Sequence, residues 1–389
     1  MDRAVFPSSS TSTSERLRSV LRPAGLFFAG AAATLVALEL ALRLFPVSVG
    51  LYQTEQVEAR PLRTYQAHLP FTYSMTWEMR DVRHGWTNNY GQLAPFDYVP
   101  GSRPVIVVGD SYIESQMNDY RDTLQGYLGN MLRAREPVYG LGVSGMSMAD
   151  YLALAHQASA EFAPRAAVFL VVDGDTSGSL IDQPGYHYFR QTADGLKLTL
   201  HRGSLHPLLR RVRQSMGDIY LFRYATRNLR FTFPALGSVF REAKAGVAAP
   251  TDREAAEQYA VIDRFLADLP GQSGIEPHCV AFLLDADRYA IYDPRLASAT
   301  LDLPQARAYL MRRAAELGYR VADLEPLFRA HFKRYRRHFD YYPFDRHLNS
   351  LGHRLAAEQA YDLFDGGRCL GGAAVDARSR VDFASRGRP

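Results

Sequence analysis

The sequence predicts an α/β fold, a buried parallel sheet with helices on both faces, led in by one apolar helix. Three observations carry the expectation. Short, wholly apolar runs recur at 104–108, 137–143, 166–172, 279–284 and 319–324, and a strand that is apolar on both faces belongs inside a parallel sheet. Between them the spacing turns helical, with Met117, Tyr120, Leu124, Leu128 and Leu132 recurring every three or four residues in 115–133, and with helices expected at 148–160 and 304–317. Ahead of all these lies a long apolar stretch near the N-terminus.

Residues 1–23 read as a polar tail, with a Ser/Thr run at 7–14 followed by Arg16, Arg18 and Arg22. The stretch 24–45 is apolar for roughly 20 residues, enough to span a bilayer. Glu39 and Arg43 stand one helical turn apart near its far end, where a charged pair costs less than at the bilayer centre. A cleaved signal peptide is the competing reading, but ELALRLFP offers bulky and charged residues where small ones are needed, so an uncleaved anchor is expected. Arg16, Arg18 and Arg22 just before the span against Arg43 at its far end place the tail in the cytoplasm and the rest outside, which in a bacterium means an inner-membrane protein with a periplasmic domain.

Residues 46–100, rich in Tyr, Gln, Pro and Asn and without clear periodicity, read as an ordered entry segment lying against the domain. The main domain is expected at 101–366, with an insertion at 176–275 in which 185–200 reads as a hairpin and 251–268 as an amphipathic helix. The Gly, Arg and Ser of 367–389 suggest a disordered tail.

The chain has 389 residues, 47% hydrophobic and 22% charged, enough for one large core. Of its net charge of +4, half comes from Arg3, Arg16, Arg18 and Arg22 against Asp2 and Glu15, so nucleic acid is not an expected partner. Cys279 and Cys369 lack a second ligand pair at zinc spacing; they either pair as a disulfide or stay as two buried thiols. No P-loop, dinucleotide fingerprint or metal cluster occurs, and no cofactor is expected. The basic run HFKRYRRH at 331–338 fits either a polyanion site or a solvated helix face.

Two stretches carry chemistry. In VIVVGDSYIES, Ser111 stands where an apolar strand turns into a helix, which exposes its hydroxyl beside free helix N–H groups. Asp110 and Ser111 would equally serve as helix caps. In PFDRHLNSLGHRLAAEQAYDLF, Asp345 and His347 stand on a loop before the last helix, and could supply that serine with a base and an orienting carboxylate. Asn349 or Ser350 would cap that helix, and His353, inside it, is a rival base.

The order of these blocks, GDS first, a Gly-containing second block, a third block after the next strand and Asp/His near the C-terminus, resembles the SGNH/GDSL hydrolases. The resemblance covers roughly 101–366 and implies a three-layer α/β/α sandwich of flavodoxin-like type. It assigns Ser111 as nucleophile, Asp345 and His347 as its activating dyad, and Ser111, Gly145 and Gly174 to an oxyanion hole in which Ser111 and Gly145 offer backbone donors. The dyad spacing of two is similar to that of members acting in polysaccharide acetylation. The third block departs from the family's Gly-x-Asn-Asp, because VVDGDTSG puts Gly174 at the Asn position. One side-chain donor is then missing, a loss of about 3–4 kcal/mol in the transition state. Thr176 could substitute; ionised Asp173 or Asp175 would repel an oxyanion. The resemblance implies a serine esterase or acyltransferase acting on an O-acyl, typically acetyl, ester of an envelope or extracellular glycan through an acyl-serine. Its alternative is a catalytically silent module that binds glycan or a partner. Oligomeric state is not readable from the sequence.

Overall fold

The computed structural model describes residues 13–48, 51, 62–132, 137–202, 215–231, 252–297, 302, 304–364 and 369. Helix α1 (Thr13–Leu42) is continuous, and its part Leu21–Leu42 is solvent-exposed, apolar and long enough to cross a membrane. It stops three residues short of the expected 45, in a turn that delivers the chain to Pro46. The entry segment then forms an antiparallel hairpin, β1 (Pro70–Met75) and β2 (Arg80–Trp86). Neither strand alternates cleanly between buried and exposed residues, which is why no period of two was readable there.

The domain continues through β3 (Val105–Gly109), α2 (Ser111–Glu114), α3 (Leu124–Met131), β4 (Val138–Gly142), α4 (Met148–Phe162), β5 (Ala166–Val171) and α5 (Asp175–Gly178). The hairpin β6 (His187–Thr192) and β7 (Gly195–Leu200) follows, then α6 (Tyr220–Arg223), which runs on as a π-helical turn, Tyr224–Asn228. After α7 (Asp252–Ser273) come β8 (Val280–Leu284), α8 (Arg288–Tyr292), α9 (Pro304–Glu316), β9 (Arg320–Asp323), α10 (Leu324–Tyr335), β10 (Asp340–Tyr341), β11 (Asp345–Leu348) and α11 (Ser350–Leu363).

Five parallel strands in the order β4-β3-β5-β8-β9 form the central sheet. Helices α4, α7 and α9 pack together as one layer and α3, α10 and α11 as another, giving an α/β sandwich. Every residue of β3, β4, β5 and β8 is buried, as their uninterrupted apolar runs require. Because the chain passes from β3 to β4 on one side and returns to β5 on the other, the strand order reverses beside the C-terminal end of β3. Open α/β sheets carry their sites at such a switch point.

The entry segment lies against this core. Tyr98 is buried and stacks on Tyr139, ring centroids 3.9 Å apart, and donates to the Gly140 carbonyl at 2.9 Å. The single helix expected over 115–133 is broken instead. Ser115 takes a left-handed φ of +51° to end α2, and α3 restarts only after Thr123, whose hydroxyl accepts from the Gly126 N–H. The hairpin expected in 185–200 and the helix expected from 251 are present as β6–β7 and α7; 203–214 and 232–251 lie outside the described residues.

Cys279 and Cys369 form a disulfide, which pins the chain after α11 to the start of β8. The remainder of 367–389 lies outside the described residues. The basic run falls on the last turn of α10, where 333–337 are exposed and Arg336 closes the helix at φ +53°.

Candidate active site

Ser111 is the first residue of α2, at the C-terminal end of β3. Asp110 caps this short helix by accepting the Tyr112 N–H at 2.9 Å. The turn is tight: a Cβ on Gly142 of the neighbouring strand would come within 2.8 Å of both the Gly109 and Asp110 carbonyl oxygens.

His347 and Asp345 reach Ser111 from β11. They sit on a short strand paired with β10, not on the loop expected, and strand alternation points both side chains to one face. The His347 Nδ1–H donates to Asp345 Oδ1 at 2.5 Å, and the His347 backbone N–H donates to the same oxygen at 2.9 Å. Arg230 Nη2 donates to Asp345 Oδ2 at 2.8 Å. With Nδ1 committed as a donor, neutral His347 presents Nε2 as an acceptor, 2.8 Å from Ser111 Oγ. Ser111 Oγ also lies 3.2 Å from Asp110 Oδ2, a longer and weaker alternative.

Charge follows this geometry. Burial pushes the Asp345 carboxyl up, but donation from His347, the imidazolium charge and Arg230 outweigh it and hold the group at about 2. His347 moves the other way: burial lowers it, yet Asp345 and the more distant Asp110 and Glu114 raise it above its ordinary value. An imidazolium formed here is therefore stabilised.

Several supporting residues carried no sequence signal. Arg288 is 4% exposed and donates from Nε to Asp340 at 3.1 Å, from Nη1 to Asp285, and from Nη2 to the Tyr112 hydroxyl at 3.1 Å and to the Arg346 carbonyl. Tyr112 packs its ring 4.8 Å from that of His347. Asn118 bridges Ser115 Oγ and the Leu348 carbonyl, both at 2.8 Å, so the C-terminal end of β11 is fastened to the segment that follows Ser111. Buried Glu114 accepts from the Ser144 N–H, the Ser144 hydroxyl and Tyr65, holding the loop that leads into Gly145.

His353 is not at the site. Its Nδ1 accepts the Leu124 N–H at 3.2 Å, which leaves Nε2 to donate to Ser115 Oγ at 2.9 Å, and complete burial drives it down to about 3. Asn349 accepts from Gly352 and caps α11.

Gly145 and Gly174 meet different fates. Gly145 adopts φ +85° with the Tyr186 hydroxyl close by. Gly174 does not offer a free donor: its N–H goes to Asp302 Oδ2 at 3.0 Å, and the same carboxylate takes the N–H groups of Thr176 and Ser177. Thr176 spends its hydroxyl on Met148 Sδ as well, so it is no substitute. Gly174, at the family's third oxyanion position, therefore has its N–H bonded to Asp302. Asp302, just before α9 and more than a hundred residues away in sequence, caps the start of α5 and is the cause. Asp175 turns from the site too, accepting from Tyr151 and the Val172 N–H, and burial raises it well above the carboxylate range. His278, Cys279 and Cys369 are neighbours, but both sulfurs are spent in the disulfide.

No family model matches the chain, and no curated protein matches it. Among solved structures it is similar to a member of the lipolytic G-D-S-L family from Veillonella parvula, at 12% identity over 67% of this chain and 97% of that one, with a TM-score of 0.34. It is similar also to an acetyl xylan esterase, at 14% identity over 66% and 98% with a TM-score of 0.33. A third similar structure is an α/β hydrolase from the metagenome of Lake Arreo, Spain, at 15% identity over 71% and 99% with a TM-score of 0.34.

Proposed function

We propose that this chain is a membrane-anchored serine esterase or acyltransferase that takes an acyl group, acetyl by preference, from an ester of an envelope or extracellular glycan. The observation that supports it most is the relay from Ser111 Oγ to His347 Nε2 at 2.8 Å and from His347 Nδ1 to Asp345 at 2.5 Å. Ser111 Oγ attacks the ester carbonyl carbon as its proton passes to Nε2. The tetrahedral oxyanion faces the N–H groups of Ser111 and Gly145; the latter has no acceptor among the described residues. Collapse breaks the bond to the leaving alkoxide, which takes the proton from His347 and departs as an alcohol. Water or a sugar hydroxyl, deprotonated by the same imidazole, then attacks the acyl-serine and regenerates Ser111.

Ser111 and His347 are half-buried beside the surface, which suits an acyl group carried on a bulky carbohydrate. The anchor reading places this domain outside the cytoplasm, and the Cys279–Cys369 disulfide suits an oxidising compartment. One observation favours the silent module instead. Gly174 and Thr176 give their N–H groups to Asp302, while the Ser111 N–H lies against the Asp110 carboxyl, leaving a poor oxyanion hole. Hydrolysis of nitrophenyl acetate by the purified chain decides between them: turnover that Ser111→Ala abolishes without unfolding supports the enzyme, and its absence from the folded wild type supports the silent module.

A further inference from the structure

The outer end of α1 is not a free tether. Glu39 accepts the N–H groups of Tyr220 and Leu221 at 3.1 and 2.9 Å, capping α6, while Arg43 pairs with Glu39 at 3.0 Å. Just beyond the helix, Pro46 O accepts the Ser74 hydroxyl at 2.6 Å, and Ser48 Oγ exchanges bonds with the Ser74 backbone at 2.9 Å. Buried Asn228 completes the clasp, donating to Ser74 Oγ at 2.9 Å and to Thr76 O at 3.2 Å, and accepting the Ser48 N–H. Tyr224, one turn after Tyr220, donates to the Trp77 carbonyl at 2.9 Å. The tip of the β1–β2 hairpin and the 215–231 segment are thus fixed against the last turn of the apolar helix.

Glu39 lies three residues inside the end of α1, about 5 Å of helical rise, so α6 sits at the depth where a spanning helix leaves the hydrocarbon. The side chains displayed there suit that depth. Leu44 is 86% and Trp77 65% exposed, Phe45, Met216 and Ile219 are exposed too, and Arg43 stacks over Tyr220 at 5.3 Å. Trp, Tyr and Arg beside bulky apolar side chains make the composition of a bilayer interface.

We propose that this face, the hairpin tip carrying Trp77 together with the 215–231 segment, is a lipid-interface surface seated in the headgroup layer next to the anchor. It rests on the reading of 24–45 as a membrane span. The same segment ends at Arg230, which holds Asp345. Ten residues of mostly helical rise, about 15 Å, and one arginine side chain separate the Glu39 cap from that carboxylate. The triad accordingly stands over the membrane surface, within reach of an ester carried on a lipid or on glycan lying against the bilayer.

The chain contains two tryptophans, which supply the test. Trp86 is 61% exposed but lies at the far end of β2, roughly 20 Å from the tip. The full chain, as Trp86→Phe or as Trp77→Phe, is reconstituted in phosphatidylcholine vesicles brominated either near the headgroup or near the chain ends. The expected result is loss of Trp77 emission with headgroup-proximal bromine and unchanged Trp86 emission. Vesicle flotation and resistance to alkaline carbonate report the anchor separately. Unquenched Trp77 in a chain that floats and resists extraction overturns the surface and leaves the anchor standing; a chain that carbonate extracts overturns both.

Discussion

Replacing Arg288 by Met removes a guanidinium that serves two buried carboxylates, a tyrosine hydroxyl and a backbone carbonyl. Deleting one member of a buried ion pair costs about 3–5 kcal/mol, and Arg288 is all but inaccessible to solvent that would screen the loss. The deficit should grow with pH as the orphaned Asp340, which burial raises, ionises. The catalytic effect has a separate origin. The Arg346 carbonyl adjoins His347, and Tyr112 packs on its ring, so both guides of the imidazole lose a charged donor. A displacement of about 1 Å at a reacting group costs about a hundredfold in rate. We therefore expect Arg288→Met to unfold at lower urea and, while folded, to lose about a hundredfold in kcat on nitrophenyl acetate with KM unchanged. Arg288→Lys, which keeps the charge but not the fork of donors, should recover more stability than rate. A folded Arg288→Met protein with wild-type kcat would refute the positioning argument, whatever its stability.

Other consequences are as direct. His353 is held near 3, below its unfolded value of about 6.5, so its contribution is present above pH 6.5 and lost as pH falls, at about 1.4 kcal/mol per pH unit. His347, raised, has the opposite sign, but its contribution is complete below 6.5; urea unfolding between pH 6.5 and 4.5 should therefore show a slope that His353→Gln removes. The base must be neutral to act, so kcat/KM should climb with pH through a midpoint above 6.5; a midpoint below that value would deny His347 the role. Gly174→Asn should give no gain in rate and should lower stability by about 1 kcal/mol, because φ +96° strains a side chain and Asp302 already holds the N–H. A rate increase would show that the loop can release Gly174.

Much of the fold was legible because a parallel sheet buried on both faces leaves a pattern no polar residue interrupts, as in 105–108 and 166–171. Ser111, Asp345 and His347 were legible because a serine at a strand-to-helix turn and an Asp/His pair are local features. The supports were not. Arg288, Arg230, Asn118 and Asp302 each act on at least one partner 52 to 230 residues away, at positions where composition and spacing carry no mark. The bonding of Gly174 was not legible for the same reason: it depends on Asp302, which nothing in 172–178 announces. The β1–β2 hairpin was not legible because neither strand alternates cleanly between buried and exposed residues.

The most direct test of the account is covalent. The full chain, folded in detergent or membranes, is treated with a fluorophosphonate probe and the modified peptide is mapped. The account predicts a single adduct on Ser111, abolished by Ser111→Ala and strongly slowed by His347→Ala, with His353→Ala labelling as long as it stays folded. A folded chain that takes no label at Ser111, or takes it equally well without His347, would contradict the triad on which the proposed function stands.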